Sequence, residues 1–292
     1  MQKICFLLIL LSNIVGYCQI IAIKDSESQQ HIPYASIYLI EKDIQIAGFS
    51  ADENGTINVP SQNFDRLKLS CIGYEDRLVD KNEIKGIIYL SPRKIELEEI
   101  SISNSIEKLG YFTGKKGRYL GLLKDTETVV YIPNTFNKPI SIKAFSMKIK
   151  KAKVTNVARL LFYAVSDTLH RAPGETLLGK DIIFNIEQGH EGLVEVDLSG
   201  YDIILPAEGA YVGLNIIECY DANGLYSRDI HHMNEFETVT SGQHFHLINR
   251  KYPSDKWINS NQLWEATGKK YSRRRDRKYF VLGAFWITVS PG

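Results

Sequence analysis

The chain has 292 residues, with 35 Lys and Arg against 34 Asp and Glu and a formal net charge of +1. So even a balance gives no global pull toward nucleic acid or an anionic membrane surface. With 44% apolar residues and four cysteines, there is material for one large core or two ordinary ones, and no sign of a disulfide-stapled scaffold.

The first residues read as a secretory leader. Lys3 is the only charge before Lys24, and it precedes the apolar run Ile4 to Leu11. A basic start, a short greasy stretch and small residues before a cut make the pattern of a signal peptide. The run is shorter than the ~20 apolar residues that a spanning helix needs. Cleavage after Cys18 defines a leader of 1–18 and a chain beginning at Gln19. The competing account lipidates Cys18: Ile14 to Cys18 resembles a lipobox, although Tyr17 stands where a small residue belongs. The expectation is an exported protein without a transmembrane helix, in the periplasm, at the outer-membrane surface or outside the cell.

From Gln19 to Pro92 the chain reads as short strands. Ala35, Ile37 and Leu39 alternate with Ser36, Tyr38 and Ile40, and Leu67, Leu69 and Cys71 alternate with Lys68 and Ser70. Period-two alternation marks half-buried strands. Between two such runs lies Asp52-Glu53-Asn54-Gly55, whose D-x-N-G spacing opens a calcium loop. A helix-loop-helix calcium site needs flanking helices and a terminal bidentate Glu, and here that last position is Asn63. Asn-Gly between strands is a hairpin signal instead, since both residues tolerate positive φ. A turn is therefore expected. Cys71 and Cys219 stand far apart in sequence and are expected as two small buried thiols.

Residues 19–92 resemble the carboxypeptidase-regulatory-like domain. The features that carry the likeness are Pro33 and Ala35 before a strand, the Asp52 to Gly55 turn, and Gly73-Tyr74 after an apolar strand. The family has a Gly before its first Asp, where this chain has Ile21 or Ala22. The resemblance covers about a quarter of the chain. It implies a transthyretin-like or Ig-like β-sandwich, noncatalytic in itself, of the kind common in exported Bacteroidetes proteins. Residues 93–104 then resemble the connecting strand that follows such domains.

Residues 105–292 form a second block of strand-like runs, punctuated by Pro133, Pro139, Ala172 to Glu175 and Pro206 to Gly209. Eight or more strands with turns between them predict a larger, jelly-roll-like β-sandwich. The run from Lys278 to Ser290 is long and apolar enough to be central, with Trp286 in its core. The block resembles an uncharacterised sandwich domain that follows regulatory-like domains in Bacteroidetes proteins, which implies a fold and no assigned activity. The fold class expected for the whole chain is all-β.

Chemistry is sparser. His232-Met233-Asn234-Glu235 has the His-x-x-Glu spacing of zinc peptidases, but those enzymes sit on helices and parallel strands, so zinc carboxypeptidase activity is not expected. His244 and His246 would share one face of a strand, about 6–7 Å apart. With His232 and Glu235 they form a candidate metal set, and the plainer account is a polar strand face beside a loop. Arg273, Arg274 and Arg275 lie in a basic stretch that suits a polyanion, or simply a solvated turn. Tyr252, Trp257 and Trp264 stand among Asn259, Asn261 and Gln262. Flat rings beside amides suit glycan stacking, and equally suit pinning a loop onto the sandwich. No nucleophile motif or phosphate-cradling glycine loop is present, and no cofactor is implied. The expectation is a noncatalytic envelope protein that binds or docks to a glycan or a partner protein, not nucleic acid. The alternatives are a metal-dependent hydrolase on the second sandwich and a purely structural or adhesion subunit.

Overall fold

A computed structural model describes residues 19–93, 105–113, 115–116, 120–122, 124–166, 172–224, 234–236, 238–241, 247–251, 257–259 and 280–291. These residues form strands, turns and one 3-10 turn, Lys81–Glu83, with no α-helix among them. The all-β expectation holds. The chain divides into two compact units, Met1–Pro92 and Arg93–Gly292. No helix among the described residues is long and apolar enough to cross a membrane. The expected leader and most of the 93–104 connection lie outside the described residues.

The first unit has seven strands: β1 (Gln19–Asp25), β2 (Ser36–Glu41), β3 (Ile44–Ser50), β4 (Thr56–Val59), β5 (Arg66–Ser70), β6 (Arg77–Asp80) and β7 (Ile87–Leu90). One sheet has the order β4-β1-β7 and the other β3-β2-β5-β6. Pairing is antiparallel except between β1 and β7, which run parallel with Ile23 beside Ile88. The alternation read from the sequence explains the layering. Ile21 and Ile23 of one sheet meet Ile37, Leu39, Leu67 and Leu69 of the other in a single buried cluster. Their alternate neighbours Lys68 and Ser70 stay half-exposed. Burial of each such side chain contributes about 1.5–3 kcal/mol, which is what holds two thin sheets together.

The Asp52 to Gly55 segment is a turn, but not a hairpin. β3 lies in one sheet and β4 in the other, so the turn carries the chain across the sandwich. Asp52 Oδ1 accepts from the backbone N–H of Asn54 (2.9 Å) and of Thr56 (2.7 Å). Gly55 takes φ +66°, and a Cβ there would lie 2.7 Å from the carbonyl oxygen of Ile32. Only glycine fits both demands.

The second unit begins with β8 (Glu107–Gly110), β9 (Lys115–Lys116), β10 (Leu120–Leu122), β11 (Thr126–Ile132), β12 (Ile140–Lys151) and β13 (Thr155–Val165). It continues through β14 (Pro173–Thr176), β15 (Ile183–Ile186), β16 (Gly192–Asp197), β17 (Ile204–Leu205) and β18 (Ala210–Tyr220). Last come β19 (Asn234–Phe236), β20 (Thr238–Ser241), β21 (Leu247–Lys251), β22 (Ile258–Asn259), β23 (Phe280–Gly283) and β24 (Phe285–Ser290). The long strands β11, β12, β13, β16 and β18 alternate in chain order between two large sheets, in a jelly-roll-like manner.

In the sheet built on β12, Phe145 is in register with both Val196 of β16 and Ile287 of β24, which therefore flank β12 on opposite edges. Ile149 is likewise in register with both Gly192 and Phe236, so β19 follows β24 along one edge. The apolar closing run is not one strand. It breaks at Ala284 into β23, which pairs β20, and β24, which lies between β12 and β8.

The other large sheet has the order β14-β13-β18-β11-β21-β22, with β15 also on β13. One of its faces carries Val130, Ile132, Leu160, Phe162, Val212 and Leu214, all buried. That face packs toward the β12 sheet, because a Cβ on Gly110 of β8 would come within 3.1 Å of Ile132 Cδ1. All seven residues of β11 and the first eight of β18 are buried. This sheet is therefore covered on both faces, and its strands read as continuous apolar runs.

A candidate binding face on the β11–β18–β13 sheet

The second face of this sheet differs in chemistry from the first. Residues in register on neighbouring strands share a face. Three cross-strand rows follow from the pairings of β11, β18 and β13: Tyr131–Tyr211–Tyr163, then Val129–Gly213–Leu161, then Glu127–Asn215–Arg159. The first row is aromatic. Tyr131 and Tyr211 pack with centroids 5.6 Å apart, and the Tyr131 hydroxyl donates to the Glu208 carbonyl at 2.5 Å. The middle row has no side chain at its centre. A Cβ on Gly213 would sit 1.9 Å from the Thr128 carbonyl oxygen, so β11 approaches β18 too closely for any other residue.

The third row is polar and buried. Glu127 is 4% exposed, Asn215 1% and Arg159 5%. Arg159 Nη2 lies 3.2 Å from Asp181 Oδ2 in an ion pair largely withdrawn from water. The Tyr163 hydroxyl donates to Glu127 Oε2 at 3.2 Å, tying the aromatic row to the polar one. The Asn215 amide nitrogen meets no hydrogen-bond acceptor among the described residues. Burial of charges is tolerated only when they are paired, and removal of one partner of such a pair costs about 3–5 kcal/mol.

Trp257, expected from the sequence as a glycan platform or a loop anchor, lands on this face. Its ring meets Tyr163 edge-on, centroids 5.5 Å apart at 72°. It packs against the cluster of Val129, Tyr131, Leu161 and Tyr211, and stays half-buried, so part of its surface remains open to solvent. The other two expected rings, Tyr252 and Trp264, lie outside the described residues. So do His232, His244, His246, Arg273, Arg274 and Arg275. Glu235 lies on β19, in register with Gly121 of β10 and Lys151 of β12. Among the described residues no group of three or more His, Cys, Asp or Glu is placed to hold a metal ion.

Trp286 is buried as expected, 3% exposed, but on the far side of its sheet from Phe285 and Ile287, under the ring of Phe112 at 6.0 Å. Cys71 and Cys219 form no disulfide, as expected, but are half-buried where buried thiols were expected. In the first unit, Asp25 sits at the end of β1 with its carboxyl held below the ordinary range. The backbone N–H of Ser28 is the main cause, helped by that of Glu27 and by the Tyr74 hydroxyl at 2.9 Å. The Gly73-Tyr74 pair thus fastens the β5 end of one sheet to the β1 end of the other.

Chemically, the face sets carboxylates, a guanidinium, an amide and phenol hydroxyls within two strands' breadth of one another, with an indole at the side. Glu127, Arg159 and Asn215 escaped the sequence reading, although Arg159 and Asn215 are each a lone polar residue inside an apolar run. A scan of protein-family models, a search of characterised proteins and a search of solved structures each return no match to this chain.

Proposed function

We propose that this is an exported, noncatalytic envelope protein whose second unit binds a glycan. The first unit acts as a spacer or docking module of the carboxypeptidase-regulatory-like kind. The observation that carries the reading is Trp257, half-open to solvent against Tyr163. A sugar ring presents apolar C–H faces and a rim of hydroxyls. A half-open indole answers the first of these with its flat apolar face. For the first unit, support comes from its two-sheet sandwich and from the Asp52 to Gly55 and Gly73-Tyr74 features of the resemblance.

The test is a glycan array probed with the full chain and with Trp257→Ala, folding being checked by circular dichroism. The wild-type chain should retain a defined glycan class, and the variant should bind it about tenfold more weakly, the equivalent of ~1.4 kcal/mol. Equal binding by a folded variant would remove the site from this face. Stoichiometric metal in the purified chain, lost in His244→Ala or His246→Ala, would favour the hydrolase reading instead.

A further inference from the structure

We propose that Asn223 is a site of spontaneous deamidation, and that the fold protects Asn54, which stands in the same local sequence. The chain contains two Asn-Gly pairs, Asn54-Gly55 and Asn223-Gly224, and each closes a D-x-N-G turn. Such a pair carries its own chemistry. The glycine backbone nitrogen attacks the asparagine Cγ, the side-chain nitrogen leaves as ammonia, and a five-membered succinimide forms. Water from the solvent then opens that ring at either carbonyl, giving aspartate or isoaspartate. Glycine suits the attack because it has no Cβ to shield the nitrogen or restrict its approach. The product places a new carboxylate just past the end of β18, and the isoaspartyl form adds a methylene to the main chain there.

The two turns are built alike. The Asn54 and Asn223 N–H groups donate to Asp52 Oδ1 and Asp221 Oδ1, each at 2.9 Å. The Gly55 and Gly224 N–H groups donate to the Asp52 and Asp221 carbonyls, each at 3.0 Å. Both glycines take positive φ, +66° and +72°, and both asparagines are exposed. Ring closure breaks the glycine bond in either turn, so that cost cancels between them. The surroundings decide. Gly55 is buried, and its carbonyl accepts from the Ile23 N–H at 2.8 Å. Thr56 N–H donates to Asp52 Oδ1 at 2.7 Å, and the Thr56 carbonyl accepts from the Asp52 N–H at 2.9 Å. Turning Asn54 and Gly55 into the cyclic geometry strips several of these bonds at once, so attack there waits on local opening of the sandwich. Gly224 is exposed, with nothing within 4 Å of where a Cβ would sit. Among the described residues, neither Asn223 nor Gly224 makes a hydrogen bond outside its own turn. The additional hydrogen bonds around Asn54 are enough to slow it about tenfold or more relative to Asn223.

The test needs only the full chain, held for days in mildly alkaline buffer at body temperature. Peptide mass spectrometry follows both sites through the mass change from amide to acid and through the isoaspartyl linkage. In the native chain Asn223 should convert about tenfold or more faster than Asn54. In denaturant, where only the local sequence acts, that difference should disappear. Asn223→Gln should abolish conversion at its own position and leave Asn54 as slow as before. Equal native rates, or a faster Asn54, overturn the proposal. So does an Asn223 that stays intact in the native chain while it converts in denaturant, or a difference between the sites that persists undiminished after unfolding.

Discussion

Cys219 shows how a single residue's reactivity is set by its surroundings. It lies near the end of β18, with its Sγ 3.4 Å from Asn156 Oδ1. Burial pushes its thiol up to about 11, from an ordinary value of 9.0, with smaller contributions from the charges of Lys124, Asp125 and Glu218. A raised pKa keeps the neutral thiol in the folded state. The folded state is therefore favoured fully below pH 9, and this contribution is lost as pH climbs toward about 11. The thiolate is the nucleophile, so at pH 8 only about one part in a thousand is reactive. Alkylation by iodoacetamide, followed peptide by peptide in a mass spectrometer, should be slow at Cys219 in the native chain and rise only well above pH 9. In denaturant the midpoint should drop to near 9. Rapid native alkylation at neutral pH would contradict the environment described. Nothing in the residues around Cys219 in sequence announces this setting, because Asn156 comes from another strand. Asp52 is the opposite case: its local spacing already favoured a turn, and its carboxylate indeed takes up the two N–H groups of that turn. What the spacing could not convey was that the turn joins two sheets, since hairpin and crossover begin with the same four residues.

At the scale of strands, the middle of the β11–β18–β13 sheet depends on one absence of a side chain. Gly213→Ala should destabilise the second unit by about 3 kcal/mol, because the new methyl group meets the Thr128 carbonyl and the Val129 backbone, neither of which can swing aside. Chemical denaturation followed by tryptophan fluorescence checks this. A change under 0.5 kcal/mol, the usual span for harmless surface substitutions, would mean that the strands are further apart than described. Much of this layer was readable in advance. The runs around Val129, Leu161 and Leu214 have the composition of strands buried on both faces, and the period-two pattern of β2 and β5 assigns their inward residues correctly. The candidate face was readable only in part. Trp257 stood out because an aromatic among amides is conspicuous in a linear sequence. Glu127, Arg159 and Asn215 each occur singly, and only cross-strand register assembles them into a row. Register is a property of pairs of strands, and a single sequence does not contain it.

For the whole molecule, the decisive quantity is how far apart in sequence the paired strands lie. β8 pairs β24 through contacts such as Gly110 with Trp286, and β11 pairs β21 through Thr126 with Lys251. Folds dominated by such distant pairings close slowly, because the loop entropy must be met before the contacts form. β24 is also not a peripheral addition: it lies between β12 and β8 and contributes Phe285, Ile287 and Val289 to the buried interior. A chain ended after Gly283 should keep the first unit intact and lose the second. Limited proteolysis should then leave a resistant fragment ending near Pro92 and digest the remainder. Protection of residues beyond β8 in that shortened chain would show that the β12 sheet closes without its inner strand. The all-β class and the two blocks of strands were plain from alternation and from the spacing of Pro and Gly. The central placement of the last strand was suggested by its apolar length, and its break at Ala284 was not, because both halves carry the same residue types.

The position of β24 also orders events during synthesis. A ribosome delivers β7 long before β24, so the first unit can settle while the rest is still being translated. The second unit has to wait with β11, β12, β13 and β18 exposed and nothing to close them. These strands carry many of its buried apolar residues, and in that interval they are what a holding chaperone would recognise.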